Sequence, residues 1–201
     1  AADPIRQGDI FSGLPRVEVS LDEMVLVDGS GERVAAWKDI AVDSGPHSVV
    51  VPVRSVAAIV ATQDCDASRS RDITLCEIGA FREVEGKSRD ARSAKAWKNI
   101  LTQHARINQK WFYLPPSPLV GFGEKMAVDF MVTLRLPRLD LERLKGLRVA
   151  RLNELAAEHF RERIAEFFRR YAYDEWYALN KEEMSEYIKE YPDTKCFPWQ
   201  V

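Results

Sequence analysis

The sequence predicts an α+β fold in which a small antiparallel β-barrel or β-sandwich comes first and helices follow. Short apolar runs separated by turn residues fill roughly the first 85 residues, a spacing typical of small all-β folds. A helical period then interrupts the strands at residues 89–110, and the chain is mostly helical after Pro137. We therefore expect a β-barrel over residues 1–137, which contains the inserted helix, and a helical extension over residues 138–201 packed on it.

The N-terminal strands are predicted from apolar residues bounded by glycine, proline and short polar residues. Asp28-Gly29-Ser30-Gly31 is a strong turn signal between two apolar runs. Residues 57–61 are apolar throughout, which is typical of a strand buried on both faces, whereas residues 73–78 alternate like a half-buried strand. The predicted strands of this region are residues 10–11, 17–19, 24–27, 37–42, 49–53, 57–62 and 73–78.

The middle of the sequence changes from extended to helical periodicity and back. Residues 111–114 form a dense aromatic strand that Pro115 ends, and residues 125–136 alternate again, so the sheet resumes after the helix. The inserted helix is predicted from one apolar stripe at helical spacing, formed by Ala94, Trp97, Leu101, His104 and Ile107.

Two helices are expected in the C-terminal region. Asn153 is the expected N-cap of the first helix, because its side chain can accept a hydrogen bond from an amide of the first turn. Asn180 with Glu183 three residues later fits a capping box for the last helix. The stripe of the first helix that we expect to be buried consists of Ala156, Phe160, Ile164, Phe167 and Tyr171.

Composition and charge limit the classes of function. Apolar residues make up 46% of the chain and charged residues 30%, ordinary proportions for a globular domain. The net charge of −2 gives no overall field that attracts nucleic acid. Three widely spaced cysteines favour a reducing compartment over a disulfide framework. The sequence shows neither a run of about 18 apolar residues nor the layout of a signal peptide, so we expect a cytoplasmic protein without a membrane segment.

The motif Gln63-Asp64-Cys65-Asp66, at the end of the longest apolar run, is the first candidate site. Two carboxylates and a thiol can ligate a metal, but zinc sites draw Cys and His from paired short spacings, which the sequence lacks. The carboxylates would repel a thiolate, which disfavours a nucleophilic Cys65. The simplest interpretation is that Asp64 or Asp66 caps a turn while Cys65 packs inward. The alternative is a binding edge formed by Gln63, Asp64 and Asp66.

The second candidate site is the basic segment 87–110, which has seven lysines or arginines and one acid, Asp90. Such a segment could contact a phosphate backbone or an acidic partner, and the candidate contacts are Arg92, Lys95 and Lys98. The alternative is a solvated helix face, because Trp97 lies on the apolar stripe. The sequence lacks a glycine-rich phosphate loop, a GxSxG motif and an HExxH motif, so we expect no cofactor and no metal.

The order of motifs also suggests a family. Gly8-Asp9-Ile10-Phe11, an apolar strand that ends at Thr62, a polar loop and then Thr74-Leu75-Cys76-Glu77-Ile78 follow one another. This order resembles the PemK/MazF toxins, in which a Gly-Asp-Ile/Val strand precedes an Arg-Pro-Ala-x-Val-x-Ser strand. Residues 126–168 also resemble the closing strand and the helices of that family. The resemblance covers most of residues 6–170 and implies an SH3-like antiparallel barrel that forms homodimers.

The resemblance implies a metal-independent ribonuclease, in which an arginine stabilises phosphorane charge and a Thr or Ser hydroxyl assists. Residues 58–62 match Ala-x-Val-x-Ser, which places Val56 where the catalytic arginine stands; Arg54 is the nearest substitute, on the same strand face. The family's threonine falls near Gly79 and Ala80, which have no hydroxyl. The candidate catalytic residues, if the chain is a nuclease, are Arg54, Thr62 and Ser55.

A barrel that keeps its frame without the catalytic pair is better suited to binding than to cleavage. We therefore expect a non-catalytic interaction or regulatory module of a bacterial stress or antiviral defence system, whose partner is an antitoxin-like or transcription-regulatory protein. The alternative is a metal-independent endoribonuclease of a toxin–antitoxin system that cleaves single-stranded RNA. A second alternative is a nucleic-acid binder that uses the basic segment.

Overall fold

The computed structural model of the protein describes residues 3–42, 45–84 and 110–169, together with the single residues 185, 189 and 192. The chain divides into two compact units, Ala1–Phe167 and Phe168–Val201. All the strands given below lie in the first unit.

The described strands are β1 (Asp9–Val17), β2 (Met24–Asp28), β3 (Gly31–Ala35), β4 (Ser48–Val50), β5 (Val53–Val60), β6 (Asp72–Ala80), β7 (Trp111–Leu114), β8 (Met126–Pro137) and β9 (Arg148–Arg151). The described helices are α1 (Trp37–Ile40), α2 (Asp64–Ala67), α3 (Phe81–Val84), α4 (Arg138–Arg143) and α5 (Glu154–Phe168), with 3₁₀ turns at Pro118–Val120 and Lys145–Leu147.

Six strands form the main sheet in the order β7-β8-β6-β5-β1-β9, and every neighbouring pair is antiparallel. Both faces of this sheet carry core residues, because the apolar run of β5 alternates between them. Val56, Ala58 and Val60 belong to one core cluster, and Ile59 belongs to a second. Helix α5 covers the second cluster, where Phe160 packs against Phe130 with ring centroids 5.9 Å apart.

A β-bulge in β1 determines which residues of this strand lie opposite which residues of β5. The register between β1 and β5 shifts between Ser12 and Leu14, where Gly13 has a positive φ of 87° that favours glycine. After the shift, Leu14 lies opposite Val56 and is buried, and Arg16 lies directly opposite Arg54. The bulge therefore brings two arginines together on one face of the sheet.

A buried carboxylate holds β9 onto β1. Asp9 is fully buried and accepts hydrogen bonds from the guanidinium groups of Arg148 (3.1 Å) and Arg151 (3.1 Å from Nη2), both on β9. The backbone amide of Arg6 donates to the same carboxylate at 2.9 Å. The hydrogen bonds with Asp9, followed by those with Asp3, raise the pKa of Arg151. A buried charge requires such partners, so Asp9 has a structural role.

Strands β2, β3 and β4 form a separate three-stranded sheet in the order β3-β2-β4. The turn predicted at residues 28–31 is confirmed, since Asp28 pairs with Gly31 at the end of the β2–β3 hairpin. One face of this sheet has its own small core, formed by Met24, Leu26 and Ile40 with Ala35 and Val49 packed against them.

The structure confirms the predicted α+β class, because mostly antiparallel strands form two sheets beside few helices. The predicted N-cap is also confirmed, since Asn153 Oδ1 accepts a hydrogen bond from the Ala156 amide at 2.9 Å. Within the described ranges, strand pairing runs from β7 to β9 without closing, so the SH3-like barrel stays a prediction. The predicted helix at 89–110 falls almost entirely outside the described residues, as does the last helix predicted from Asn180.

Two predictions about local structure were wrong, and one strand was missed. Residues 37–42 do not form a strand, because Trp37–Ile40 is one helical turn that buries Ile40 against the small sheet. Residues 10–11 and 17 are not parts of separate strands, because β1 continues through the bulge. The described region after Pro137 is mostly helical, as predicted, but it also contains the strand Arg148–Arg151, which pairs with β1 and was not predicted.

Candidate functional site

A cluster of charged residues surrounds Arg54 on one face of the main sheet. Its Nη2 donates to Glu77 on β6 at 2.6 Å, and its Nε donates to Glu18 at 2.5 Å. Arg16 forms a second ion pair with Glu77. Four charged side chains from β1, β5, β6 and the segment after β1 are thus connected in one network.

Glu77 neutralises two arginines that would otherwise repel each other. Arg16 and Arg54 are direct cross-strand neighbours, an arrangement that destabilises a sheet when both charges have the same sign. The Glu77 side chain is only 13% exposed, whereas Arg54 is 44% exposed. Hydrogen bonds with Glu77 and then with Glu18 raise the pKa of Arg54. The guanidinium at the predicted catalytic position is therefore already paired with two carboxylates.

The structure does not place the other two predicted catalytic residues, Thr62 and Ser55, together with the Arg54 guanidinium in one site. Thr62 lies eight residues further along the chain, roughly 25 Å away at the usual rise of a strand. Its Oγ1 accepts a hydrogen bond from the Thr74 amide at 2.8 Å, which joins the end of β5 to β6. Ser55 is next to Arg54 in sequence, but neighbouring strand residues point to opposite faces. The catalytic assignment stays a prediction.

The motif Gln63-Asp64-Cys65-Asp66 lies at the far end of β5 from Arg54, and residues 64–66 belong to α2. The Asp64 carboxylate accepts a hydrogen bond from the Gln7 backbone amide at 2.7 Å, so it anchors the segment before β1. Asp66 pairs with Arg69 at 2.8 Å. The expectation that Cys65 packs inward was wrong, because its side chain is exposed.

The structure describes the predicted binding residues at this edge but not those in the basic segment. Gln63 and Asp64 are exposed and accessible to a partner, although Asp64 already has a structural hydrogen bond. Arg92, Lys95 and Lys98 lie outside the described residues. Both sets of binding residues therefore stay predictions.

A groove of about 380 Å³ lies beside the charged cluster, between the segment after β1 and the β4–β5 connection. Glu18, which pairs with Arg54, is part of its wall together with Val19, Glu23, Val50 and Pro52. Its volume is within the range of small-molecule and peptide-anchoring pockets. The groove connects the charged cluster with the small sheet.

The segment 17–53 concentrates exposed apolar side chains. Sixteen large apolar side chains are exposed in the described part of the chain, and nine of them lie in this segment. The segment contributes only about a quarter of all the described residues. Scattered exposed apolar residues are normal, but a concentration of them marks an interaction surface. The nine are Val17, Val19, Leu21, Val27, Val34, Trp37, Val42, Val50 and Val53.

Three of the small-sheet valines form a continuous row. Val25 in the central strand lies directly opposite both Val34 on β3 and Val50 on β4, so the three side chains share one face. Val34 is 70% exposed and Val50 is 53% exposed. We call Val25, Val34 and Val50 the valine row. It lies on the face opposite the small core, and Val50 also lines the groove.

Sequence reasoning missed the partners of Arg54 and the valine row. A signal for the first existed, because Glu77 is the only charge in the otherwise uncharged stretch 73–80 and a half-buried carboxylate requires a cation. No such signal existed for the valine row, since an apolar strand pattern predicts alternation without showing which face remains uncovered.

The comparisons with known proteins are negative: no protein-family model matches the chain, and no curated protein matches it significantly. Among the described residues, no helix is both long enough and apolar enough to cross a membrane. The same residues contain no group of three or more His, Cys, Asp or Glu side chains arranged to hold a metal ion.

Proposed function

We propose that this chain is a non-catalytic protein-interaction module whose binding surface is built from residues 17–53. The observation that carries the proposal is the exposed valine row beside an open groove, on a sheet that is separate from the main sheet. Apolar area exposed to water is stabilised when a partner covers it. Two side chains in the row that are more than half exposed supply such area at one place.

The state of Arg54 supports binding over cleavage. A catalytic guanidinium gains its effect by meeting negative charge that develops in the transition state. Here the Arg54 guanidinium already contacts two carboxylates, Glu18 and Glu77, which reduce its field at an incoming phosphate. The cluster therefore serves mainly to join β1, β5 and β6.

The fold and setting that we propose are those implied by the resemblance to the PemK/MazF toxins. The support is the Gly8-Asp9 start of β1, its antiparallel pairing with β5, and the pairing of β5 with β6 and of β6 with β8. A divergent SH3-like barrel in a bacterial stress or antiviral defence system fits this arrangement. A cytoplasmic location fits the free thiols of Cys65 and Cys76.

The proposal is tested by quantitative affinity capture with matched variants. The test variant is Val34→Thr with Val50→Thr, because threonine keeps the β-branch and the volume while it replaces a methyl by a hydroxyl. The control is Leu119→Ser with Met131→Ser, two residues that are 95% and 70% exposed outside the segment. We expect that at least one protein is captured by both wild type and the control variant but not by the test variant. Equal retention by all three proteins contradicts the proposed surface.

A metal-independent endoribonuclease is the second candidate function. The observation that favours it is that Arg54 stays 44% exposed beside Glu18 at the wall of the groove, so a guanidinium and a carboxylate are both accessible. The test is incubation with a pool of single-stranded RNA in the presence of EDTA, next to Arg54→Ala. Cleavage that the substitution abolishes establishes the nuclease, and absence of cleavage by folded protein removes it.

The nucleic-acid binder remains the third candidate, through Arg92, Lys95 and Lys98. Binding to phosphates releases counterions, so the affinity would fall steeply as the salt concentration rises. Salt-independent binding or no binding would remove this candidate.

A further inference from the structure

We propose that the valine row and two flanking carboxylates, Glu23 and Glu32, bind an apolar protein segment that carries lysine or arginine on either side of its apolar residues. This inference rests on the proposed interaction function and specifies the chemistry of the partner. It is carried by the positions of these side chains and by the charge of the surrounding segment.

The two carboxylates lie next to the valine row on different sides. Glu32 is directly opposite Val27, which shares the outer face of β2 with Val25 two residues earlier. Glu23 lines the groove together with Val50, the end of the valine row on β4. A segment that covers the row thus passes a carboxylate near each end of its contact.

The segment of the sequence that contains the row is strongly negative. Residues 18–52 contain seven acidic and two basic residues, a net charge of −5, whereas the whole chain has −2. The remaining residues are therefore basic on balance, and the excess of acidic residues lies in the segment of the sequence that contains the small sheet. Complementary charge on a partner would increase both its association rate and its specificity for this surface.

Not every acidic group of the segment is available. Glu18 pairs with Arg54 at 2.5 Å. Asp28 accepts hydrogen bonds from Ser30, which lower its pKa, and it pairs with Arg33 at 3.6 Å. Glu23 and Glu32 differ, because neither forms an ion pair with any residue in the described part of the chain. These two carboxylates are free to meet cations of a partner.

The same charges disfavour two other occupants. In a two-fold symmetric contact between copies of this chain through the valine row, each surface would meet itself, so the carboxylates of one copy would approach those of the other. Nucleic acid would bring phosphates towards the same carboxylates, with no counterion release to compensate. An apolar protein segment flanked by basic residues can cover the valine row and pair with both carboxylates, Glu23 and Glu32.

The experiment uses the full chain and a phage-displayed library of random peptides, selected on wild type after depletion on Val34→Thr with Val50→Thr. We expect the enriched peptides to share aliphatic residues flanked by lysine or arginine. A synthetic peptide of that consensus should bind wild type about fivefold to tenfold more tightly than Glu23→Gln with Glu32→Gln, as measured by calorimetry at low salt. The control, Glu158→Gln with Glu162→Gln on the exposed side of α5, should bind like wild type.

Three results overturn the inference: no enrichment over the depleted pool, enriched peptides without basic residues, or equal affinity for wild type and the double glutamine variant. A wild-type dimer that the double threonine variant dissociates, measured by light scattering, also overturns it and assigns the row to a second copy. Because Glu23 and Glu32 are exposed, their replacement does not disturb the core, so the comparison holds even if the threonine variant unfolds.

Failure of this inference is distinguishable from failure of the proposed function. If the double threonine variant loses a captured protein that the double glutamine variant retains, the interaction function stands and the inference of a basic partner fails. A captured protein that neither variant loses removes the surface itself.

Discussion

Replacement of Asp9 by asparagine tests whether the buried carboxylate determines how β9 joins the main sheet. The side chain is fully buried. Its Oδ2 accepts hydrogen bonds from the Arg6 amide at 2.9 Å and from the guanidinium groups of Arg148 and Arg151, and its Oδ1 accepts one from Arg151 Nε. Asparagine keeps the shape but removes the charge, and its amide group presents hydrogens where the arginines also donate. Among the described residues, Asp3 is then the anionic partner that both guanidiniums keep.

The expected loss follows from burial. Breaking a buried ion pair on one side costs about 3–5 kcal/mol, and because Arg148 and Arg151 are 20% and 31% exposed, water can partly solvate them. We therefore expect Asp9→Asn to lower the free energy of unfolding by about 3 kcal/mol. For a chain of this size that corresponds to a drop of roughly 6–12 °C in Tm.

The assay is urea denaturation followed by circular dichroism, with Asp3→Asn as the control. Asp3 contacts the same two arginines, but its side chain is 53% exposed, so its loss should matter much less. If Asp9→Asn destabilises the protein no more than Asp3→Asn does, the structural role assigned to the buried carboxylate is refuted.

Three further predictions concern the ends of β5 and α5 and the buried thiol. Thr62→Val removes the hydroxyl that accepts a hydrogen bond from the Thr74 amide at 2.8 Å, so the free energy of unfolding measured by urea denaturation should fall by about 1–2 kcal/mol. Thr62→Ser keeps the hydroxyl and should lower the free energy of unfolding less. Equal losses in the two variants would contradict the role of the hydroxyl. Asn153→Ala removes the N-cap of α5 and should cost about 1 kcal/mol, and an unchanged unfolding midpoint would argue against the cap. Burial raises the pKa of the Cys76 thiol to about 12 from 9.0. The buried, protonated thiol therefore contributes fully to the stability of the fold below pH 9.0, and this contribution is lost as the pH rises towards 12. At about pH 8, iodoacetamide should modify exposed Cys65 and spare Cys76, as peptide mapping would show; equal modification would contradict the burial.

Local signals in the sequence predicted those parts of the fold that depend on short-range physics. The turn at residues 28–31 and the N-cap at Asn153 were predicted correctly, because each depends on residues within one turn. The apolar run of β5 also predicted a strand buried on both faces. These are features that a few neighbouring residues determine.

Features that depend on distant partners could not be predicted in the same way. The stretch Arg148–Arg151 alternates charged and apolar residues. It forms β9 by pairing with β1, where Asp9, about 140 residues earlier in sequence, accepts hydrogen bonds from its arginines. Trp37–Ile40 has strand-like composition, but it forms one helical turn in which Ile40 completes the small core. Tertiary contacts overrode the local preference in both places.

The candidate surface was the least predictable part. An alternating valine pattern indicates a strand, and the sequence cannot say whether the second face is covered by another layer. In the structure the valine row lies on the face of the small sheet opposite the core of Met24, Leu26 and Ile40, and Val34 and Val50 remain more than half exposed there. The partners of Arg54 were within reach of sequence reasoning, since a carboxylate such as Glu77, the single charge in the stretch 73–80, predicts a nearby cation.

Hydrogen–deuterium exchange of the chain, alone and with the protein it captures, tests the central claim most directly. The interaction function predicts slower amide exchange in β2, β3 and β4 when the partner is bound, and unchanged exchange in β9 and at residues 63–66. Protection confined to residues 63–66, or none in the three strands of the small sheet, would contradict the assignment of the valine row as the binding surface.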